Sequence, residues 1–244
     1  MPRLPPPSSL PVADSAGVNR SAGALGDVGA ATPVTRPRAY GGRTADERMA
    51  TRRARFIGAG FEVFGRVGLR GATVRGVCAQ AGLIDRYFYE SFDSLERLFQ
   101  AVLSERMARL HAAVTALDER PWASLQARAA AGYAAWFEAV ADPRDARVVL
   151  IEPQAGSAET AALVEAQMQA FAALNTAPMK AWLPAGRLSP AMEPLIGRAL
   201  VGAAIEVARQ WAAEGHRRPQ QELVQACVLV ALGTLQALAG GLPP

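Results

Sequence analysis

Apolar residues recur at helical spacing along most of the chain. Val74, Val77, Cys78 and Ala81 fall at i, i+3, i+4 and i+7, one stripe on a helix of about two turns that Thr73 is placed to cap and Gly82 to end. The segment that follows, Ile84 to Ser91, carries an Arg, three aromatic rings and little aliphatic surface. That composition is odd for a core helix and suits one laid against a duplex, so two short helices hinged on one glycine outline a helix-turn-helix. Ahead of it, Thr44 and Glu47 form the two ends of a capping box, and Ile57, Phe61 and Phe64 give the first helix its apolar face. Gly58 and Gly60 cost that helix roughly 1 kcal/mol each against Ala, so it depends on packing. Behind it, a helix opening at Asp93 or Ser94 carries Leu95, Leu98, Phe99, Val102, Leu103, Met107 and Leu110, and its length links the two halves of the chain.

Past Pro121 every segment reads as helix and none alternates as a strand does. Trp122 to Val140 carries Leu125, Ala129, Tyr133, Trp136 and Phe137; Asp142 and Pro143 read as an N-cap and an N1 proline opening a helix through Ile151. Ser157 caps a helix that is expected to break near Pro178 and Pro184. Ser189 and Pro190 repeat the cap-plus-proline signal before a stripe of Leu195, Ile196, Ala199, Leu200, Ala203, Val207 and Trp211. A final helix, from Pro219 or Gln220 to about Leu238, is apolar almost all round and is expected to be buried on more than one side. With its predecessor it is read as half of a four-helix bundle between two copies, which places Leu200, Val207, Trp211, Cys227, Val230 and Leu238 at a dimer interface.

Composition narrows the function. The 26 cationic residues comprise 25 Arg and one Lys, Lys180, and between Arg36 and Arg75 stand ten Arg against three acids, Asp46, Glu47 and Glu62. A local cationic patch is what phosphate binding requires, while a net charge of only +4 leaves the rest of the chain near neutral. Two distant cysteines, Cys78 and Cys227, cannot build a disulfide framework or a metal site, and the reading is a reducing cytoplasm. His111, expected to face solvent, and His216, in a loop beside Arg217 and Arg218, lie in no nucleophile motif; phosphate loops and zinc spacings are missing, so no enzyme and no cofactor are expected. Residues 1–43 are rich in Pro, Gly, Ser and Ala without period and read as a disordered tail; no signal peptide or membrane span is expected, because Gln225, Thr234 and Gln236 interrupt the uncharged C-terminal run.

On the helix-turn-helix, Arg86 is placed to bond guanine O6 and N7 and Tyr87 to reach a base edge or a thymine methyl, whereas Tyr89 and Thr73 suit phosphates and Arg75 suits either. Asp85 and Ser91 complete the candidate DNA-binding set; Phe88 and Phe92 are assigned to the local core. Asp85 is expected to replace Ile84 as the helix cap by a one-residue shift, and Glu90 is tolerable near phosphates where it pairs with an Arg or faces a cytosine amino group. In the C-terminal half Tyr133, Trp136, Phe137, Met168, Phe171, Met179 and Trp182 can line an apolar cavity, whose few charges favour a hydrophobic ligand.

From about Arg48 to Arg106 the sequence resembles the DNA-binding domain of the tetracycline-repressor (TetR) family of bacterial regulators. The resemblance rests on Phe61, Glu62, Val63 and Phe64 ending the first helix, the turn Gly68 to Gly71, Thr73, Val74 and Arg75 opening the second, Ala81, Gly82 and Leu83 at the turn, then Tyr87, Phe88, Tyr89 and Phe92 before Ser94. It implies an all-α fold, with a three-helix DNA-binding domain at 44–106 and a helical ligand-binding and dimerisation domain at 107–244. It also implies a homodimer on a double-stranded, palindromic operator, most simply a repressor, released by a small hydrophobic effector. The alternative from the residues alone is a helical small-molecule-binding or interaction protein whose helix-turn-helix has lost DNA binding.

Overall fold

The computed structural model describes residues 44–240, so the tail expected at 1–43 lies outside the described residues. The first helix, α1, runs Ala45–Gly71 and opens on a reciprocal cap: the Thr44 hydroxyl accepts from the Glu47 N–H at 3.1 Å, and the Glu47 carboxylate accepts from the Thr44 N–H at 2.7 Å. Its last turn is bent at Gly68, whose φ of 73° only glycine takes without strain; a Cβ there would also stand 2.5 Å from Glu152 Oε1. Helix α2, Val74–Ala81, is capped by Thr73 and stopped by Gly82 at φ 62°, and α3 follows at Asp85–Ser91. Ser94 caps α4, Leu95–Thr115. Phe56, Phe64, Phe88 and Phe99 fill the space between these four helices; Phe56 meets Phe88, and Phe64 meets Phe99, edge-on at 5.5 Å. Gly60 lets α4 come close, since a Cβ on it would lie 3.1 Å from Leu98 and Val102.

Beyond a short 3₁₀ turn at Ala116–Glu119, α5 spans Leu125–Ala139, starting three residues after Trp122 because Ser124 supplies the cap. Asp142 and Pro143 do open a helix, α6 at Pro143–Ala146, but it loosens into a π turn at Arg147–Ile151 and tightens into a 3₁₀ turn at Glu152–Ala155. Helix α7, Ala158–Trp182, runs through Pro178 instead of breaking there. The lost N–H bond is outweighed by packing on α8, which approaches so closely that a Cβ on Gly197 would sit 2.7 Å from the Ala172 carbonyl. Ser189 caps only a turn, its hydroxyl accepting from Met192 N–H at 3.3 Å; α8 itself is Glu193–Ala213, with Pro194 in its first turn. The last helix, α9, is Gln220–Gly240. Among the described residues there is no strand.

A second core of Phe137, Val140, Leu200, Ala208, Trp211 and Cys227 joins α5, α8 and α9. The expectation that α9 is enclosed on several sides is not met within the chain: Leu223, Cys227, Val228 and Ala231 are buried along one face, while Leu229 and Val230 stand exposed. Among the described residues α9 alone is long and apolar enough to cross a membrane by length and composition.

The end of α1 is fastened to the segment after α5. Arg144 bridges Asp142 and Glu62, its Nη1 lying 2.8 Å from Glu62 Oε2; Leu69 N–H donates to Glu152 at 2.9 Å and Arg147 to the Arg66 carbonyl at 3.0 Å. Arg106 of α4 stacks 3.4 Å over the Phe61 ring and pairs with Asp145 at 3.2 Å. At the other end of α4, Glu96 accepts from Ser157 N–H at 2.7 Å and Thr160 Oγ1 at 2.9 Å, which holds its carboxyl below the ordinary range.

Candidate functional site

On the helix-turn-helix, capping leaves α3 oddly open. Asp85 is its first residue and not its cap; Ile84 occupies the cap, makes no side-chain bond there and is 60% exposed, so the expected one-residue shift does not occur. Asp85 turns towards Cys78, and burial first, then this carboxylate, pushes the Cys78 thiol up to about 11. The Arg86 side chain is 80% exposed and its Nε donates to Glu90 Oε1 at 3.0 Å, with Arg52 a further 3.6 Å from Glu90. Glu90 therefore has arginine partners, as a carboxylate near phosphates requires. Arg75 and Thr73 are exposed, but the Thr73 hydroxyl is engaged by Gly76 N–H at 3.0 Å. Tyr89 is exposed, its ring edge-on to Phe88 at 5.4 Å, while Tyr87 lies half-buried 4.5 Å beneath the Arg52 guanidinium. Ser91 is turned inward: its hydroxyl donates to the Tyr87 carbonyl and its own carbonyl accepts from Arg53, both at 3.0 Å.

Sequence reasoning missed the arginines of α1 that support this face. Arg53 lies 4.2 Å from the Phe92 ring and Arg55 donates to the Ala81 carbonyl at 2.6 Å, closing the turn from outside. Their signal was the Arg run on α1, which by itself tells only of charge. Phe88 and Phe92 are core, as assigned.

The second feature is a cavity of about 400 Å³ walled by α4, α5, α7, α8 and, through Ala231 and Leu232, α9, and floored by the π and 3₁₀ turns. Tyr133, Trp136, Met168, Phe171 and Met179 line it. Phe137 does not: it is fully buried in the second core, edge-on to Trp211 at 6.1 Å. Trp182 does not either, because the end of α7 leaves it exposed. The charges are more numerous than expected, since Arg128, Arg198, Arg209 and Glu165 also border the cavity. Burial pushes the Tyr133 hydroxyl well above the usual phenol range. His111 is not simply solvated, its ring lying 5.8 Å from Phe171; His216 packs on Trp211 at 4.4 Å.

No protein-family model and no curated protein matches the sequence. Solved structures do. A regulator from Pseudomonas aeruginosa superposes with TM-score 0.66 at 19% identity, covering 80% of this chain and 98% of its own. A TetR-family regulator from Streptomyces coelicolor gives 0.63 at 23%, covering 78% and 87%, and the regulator FadR from Bacillus subtilis, solved with stearoyl-CoA, gives 0.63 at 17%, covering 78% and 99%. The chain has the TetR fold.

Within this TetR-type fold the apolar residues of α8 and α9 divide. Leu200, Trp211 and Cys227 are buried in the chain's own core and have no surface to offer a second copy, which corrects their assignment to an interface. Val207 and Leu238 are half-buried, and Val230 is 50% exposed beside the more exposed Leu229. The helical period explains the split, since one stripe of α9 faces α5 and α8 and the rest of it is left over.

Proposed function

We propose that the protein is a ligand-responsive, DNA-binding transcription regulator, a cytoplasmic homodimer that represses from a palindromic operator. Arg86, Tyr89 and Arg75 form its exposed reading face, with Tyr87 behind them and α3 entering the major groove. The leftover face of α9, around Val230, pairs with a second copy, and two-fold pairing presents two copies of α3 to two half-sites.

One observation carries the reading. The segment at 147–155 lines the cavity with Val149, Leu150, Pro153 and Gln154, and the same segment holds the end of α1 through Glu152 to Leu69 and Arg147 to Arg66. A small hydrophobic effector that fits the cavity better in one arrangement of this segment shifts the population of α1 and α3 positions, which releases the operator. The test is selection of genomic fragments by the purified protein followed by footprinting; two protected half-sites related by a dyad support the proposal, and no enrichment above random fragments sinks it. A second reading, a helical ligand-binding protein that has lost DNA binding, is favoured by the uncapped α3 and by Glu90 occupying Arg86. It predicts no enrichment with the cavity still binding ligand.

A further inference from the structure

The cavity wall holds a cation with one hand free. Arg128 of α5 is only 6% exposed, which is unusual for a guanidinium, and two of its nitrogens are spoken for: Nε and Nη2 bond Asp118 at 2.9 and 2.8 Å. Nη2 also points at the Val114 carbonyl, at 3.4 Å. Nη1 has no hydrogen-bond partner among the described residues. It lies over Gly132, one turn along α5, where a Cβ would be 3.1 Å away, and both residues border the cavity. A turn and a half along from Arg128, the buried Tyr133 hydroxyl also borders the cavity and makes no hydrogen bond among the described residues.

A donor at a cavity wall that no protein group engages is free to bond a ligand there, and a charged donor makes the stronger bond. Each of the three arginines bordering the cavity has an acidic neighbour, Arg128 with Asp118, Arg198 with Glu165 and Arg209 with Glu206, so the preference for an anion rests on the Arg128 nitrogen that Asp118 leaves unbonded. Arg198 is held by Glu165 at an exposed edge, and Arg209 donates to the Leu150 carbonyl at 3.3 Å, so Arg128 is the largely buried arginine of the cavity wall with a nitrogen that has no partner among the described residues. The remaining wall, with Trp136, Met168, Phe171 and Met179, is mostly apolar, interrupted by the amides Gln154, Gln167 and Asn175.

We infer that the effector is an apolar monocarboxylate whose head group binds Arg128 Nη1, with its body among the rings and methionines of the cavity. This deepens, and rests on, the reading of the cavity as the effector site. Gly132 is the residue that leaves the head group room, and the Tyr133 hydroxyl is a second donor on the same helix. A volume of about 400 Å³ suits a molecule of about ten carbons, at the small end of ligand pockets.

Decanoate and its uncharged counterpart 1-decanol are the probes, titrated into the full-length protein by calorimetry and by the fluorescence of its tryptophans. Decanoate should bind about tenfold or more tightly than the alcohol, the factor expected for one charge-assisted hydrogen bond. Arg128→Met should erase that preference and leave 1-decanol binding unchanged. Because Arg128 also ties down Asp118, Gly132→Ala serves as the second variant: alanine favours the helix, and its Cβ crowds Nη1, so decanoate binding should weaken several-fold with the alcohol unaffected. Equal affinity for acid and alcohol in the wild type, a preference that survives both variants, or no binding of either probe would overturn the inference. DNA binding by the ligand-free protein is read separately, so loss of the regulator reading shows there and loss of the head-group assignment shows here.

Discussion

Around the helix-turn-helix, Phe56, Phe64, Phe88 and Phe99 lie fully buried and meet one another edge-on, whereas further along α4 and into α5 and α7 the rings of Trp136 and Phe171 stand around a cavity. Both regions draw on one type of residue, aromatic and aliphatic side chains at helical spacing. In the first, ring fills ring and α3 is held in one place against α1 and α2, so that it moves only together with them, since a packed interior admits little shift. In the second, atoms facing a void forgo dispersion contacts, and whatever fills the void restores them. A ligand that binds only the folded chain there adds stability that grows with the logarithm of its concentration over its Kd. A densely packed end and a hollow body are thus built from similar sequence, and the difference lies in which helices meet.

The contrast is tested most harshly by truncating one ring in each region. Phe88→Ala should cost about 3–5 kcal/mol and abolish DNA binding, whereas Phe171→Ala, which borders existing space, should cost roughly 1–2 kcal/mol. Urea denaturation measures both, and equal losses would mean the two regions are packed alike. Next in size is Val230→Glu on the exposed face of α9: it should leave the protomer folded, weaken association by several kcal/mol because the carboxylate is buried unpaired on pairing, and cost operator binding although no DNA-facing residue has changed. Sedimentation reads this, and an intact dimer would place the interface elsewhere.

Smaller effects probe the seams. Glu96→Gln should remove roughly 1–2 kcal/mol at neutral pH by weakening the bonds from Ser157 and Thr160. The Glu96 carboxyl is held below its ordinary 4.5, so its contribution is present above that value and is lost as pH falls through the folded value. Thermal melts should accordingly show the gap between wild type and variant closing in acid. Least of all, Ile84→Ser should stabilise α3 by about 1 kcal/mol by supplying the missing cap, and DNA affinity should rise with it; a fall in affinity would show that exposed Ile84 itself touches the duplex.

What could be read from the sequence was the chemistry that acts over three or four residues. The Thr44 and Glu47 box, the caps at Thr73, Ser94 and Ser157 and the stop at Gly82 all appear where the residues put them, because each bond joins near neighbours. Where distant segments decide, local signals misled. Pro178 stays inside α7 because α8 packs there, Ser189 spends its hydroxyl on a turn, and α6 unwinds at Arg147. The same holds for the sites. The exposure of Arg86 and Tyr89 on α3 was legible, but whether a ring lines a cavity or fills a core depends on its neighbours from other helices, which separated Phe137 from Trp136. Arg128 could not be found at all, since nothing in its own segment shows that Asp118 binds only one edge of it.

The central claim, that the rigid half reads DNA, is tested most directly by titrating a selected genomic fragment and a random duplex of equal length with wild-type protein and Arg86→Ala across a range of salt. The account predicts wild-type affinity for the selected site that falls linearly in a plot of log affinity against log salt. Arg86→Ala should lose roughly 1–3 kcal/mol on that site, relax base choice at one position per half-site and bind the random duplex almost as the wild type does. Equal affinity of the wild type for both duplexes, or a variant with unchanged site preference, would contradict it.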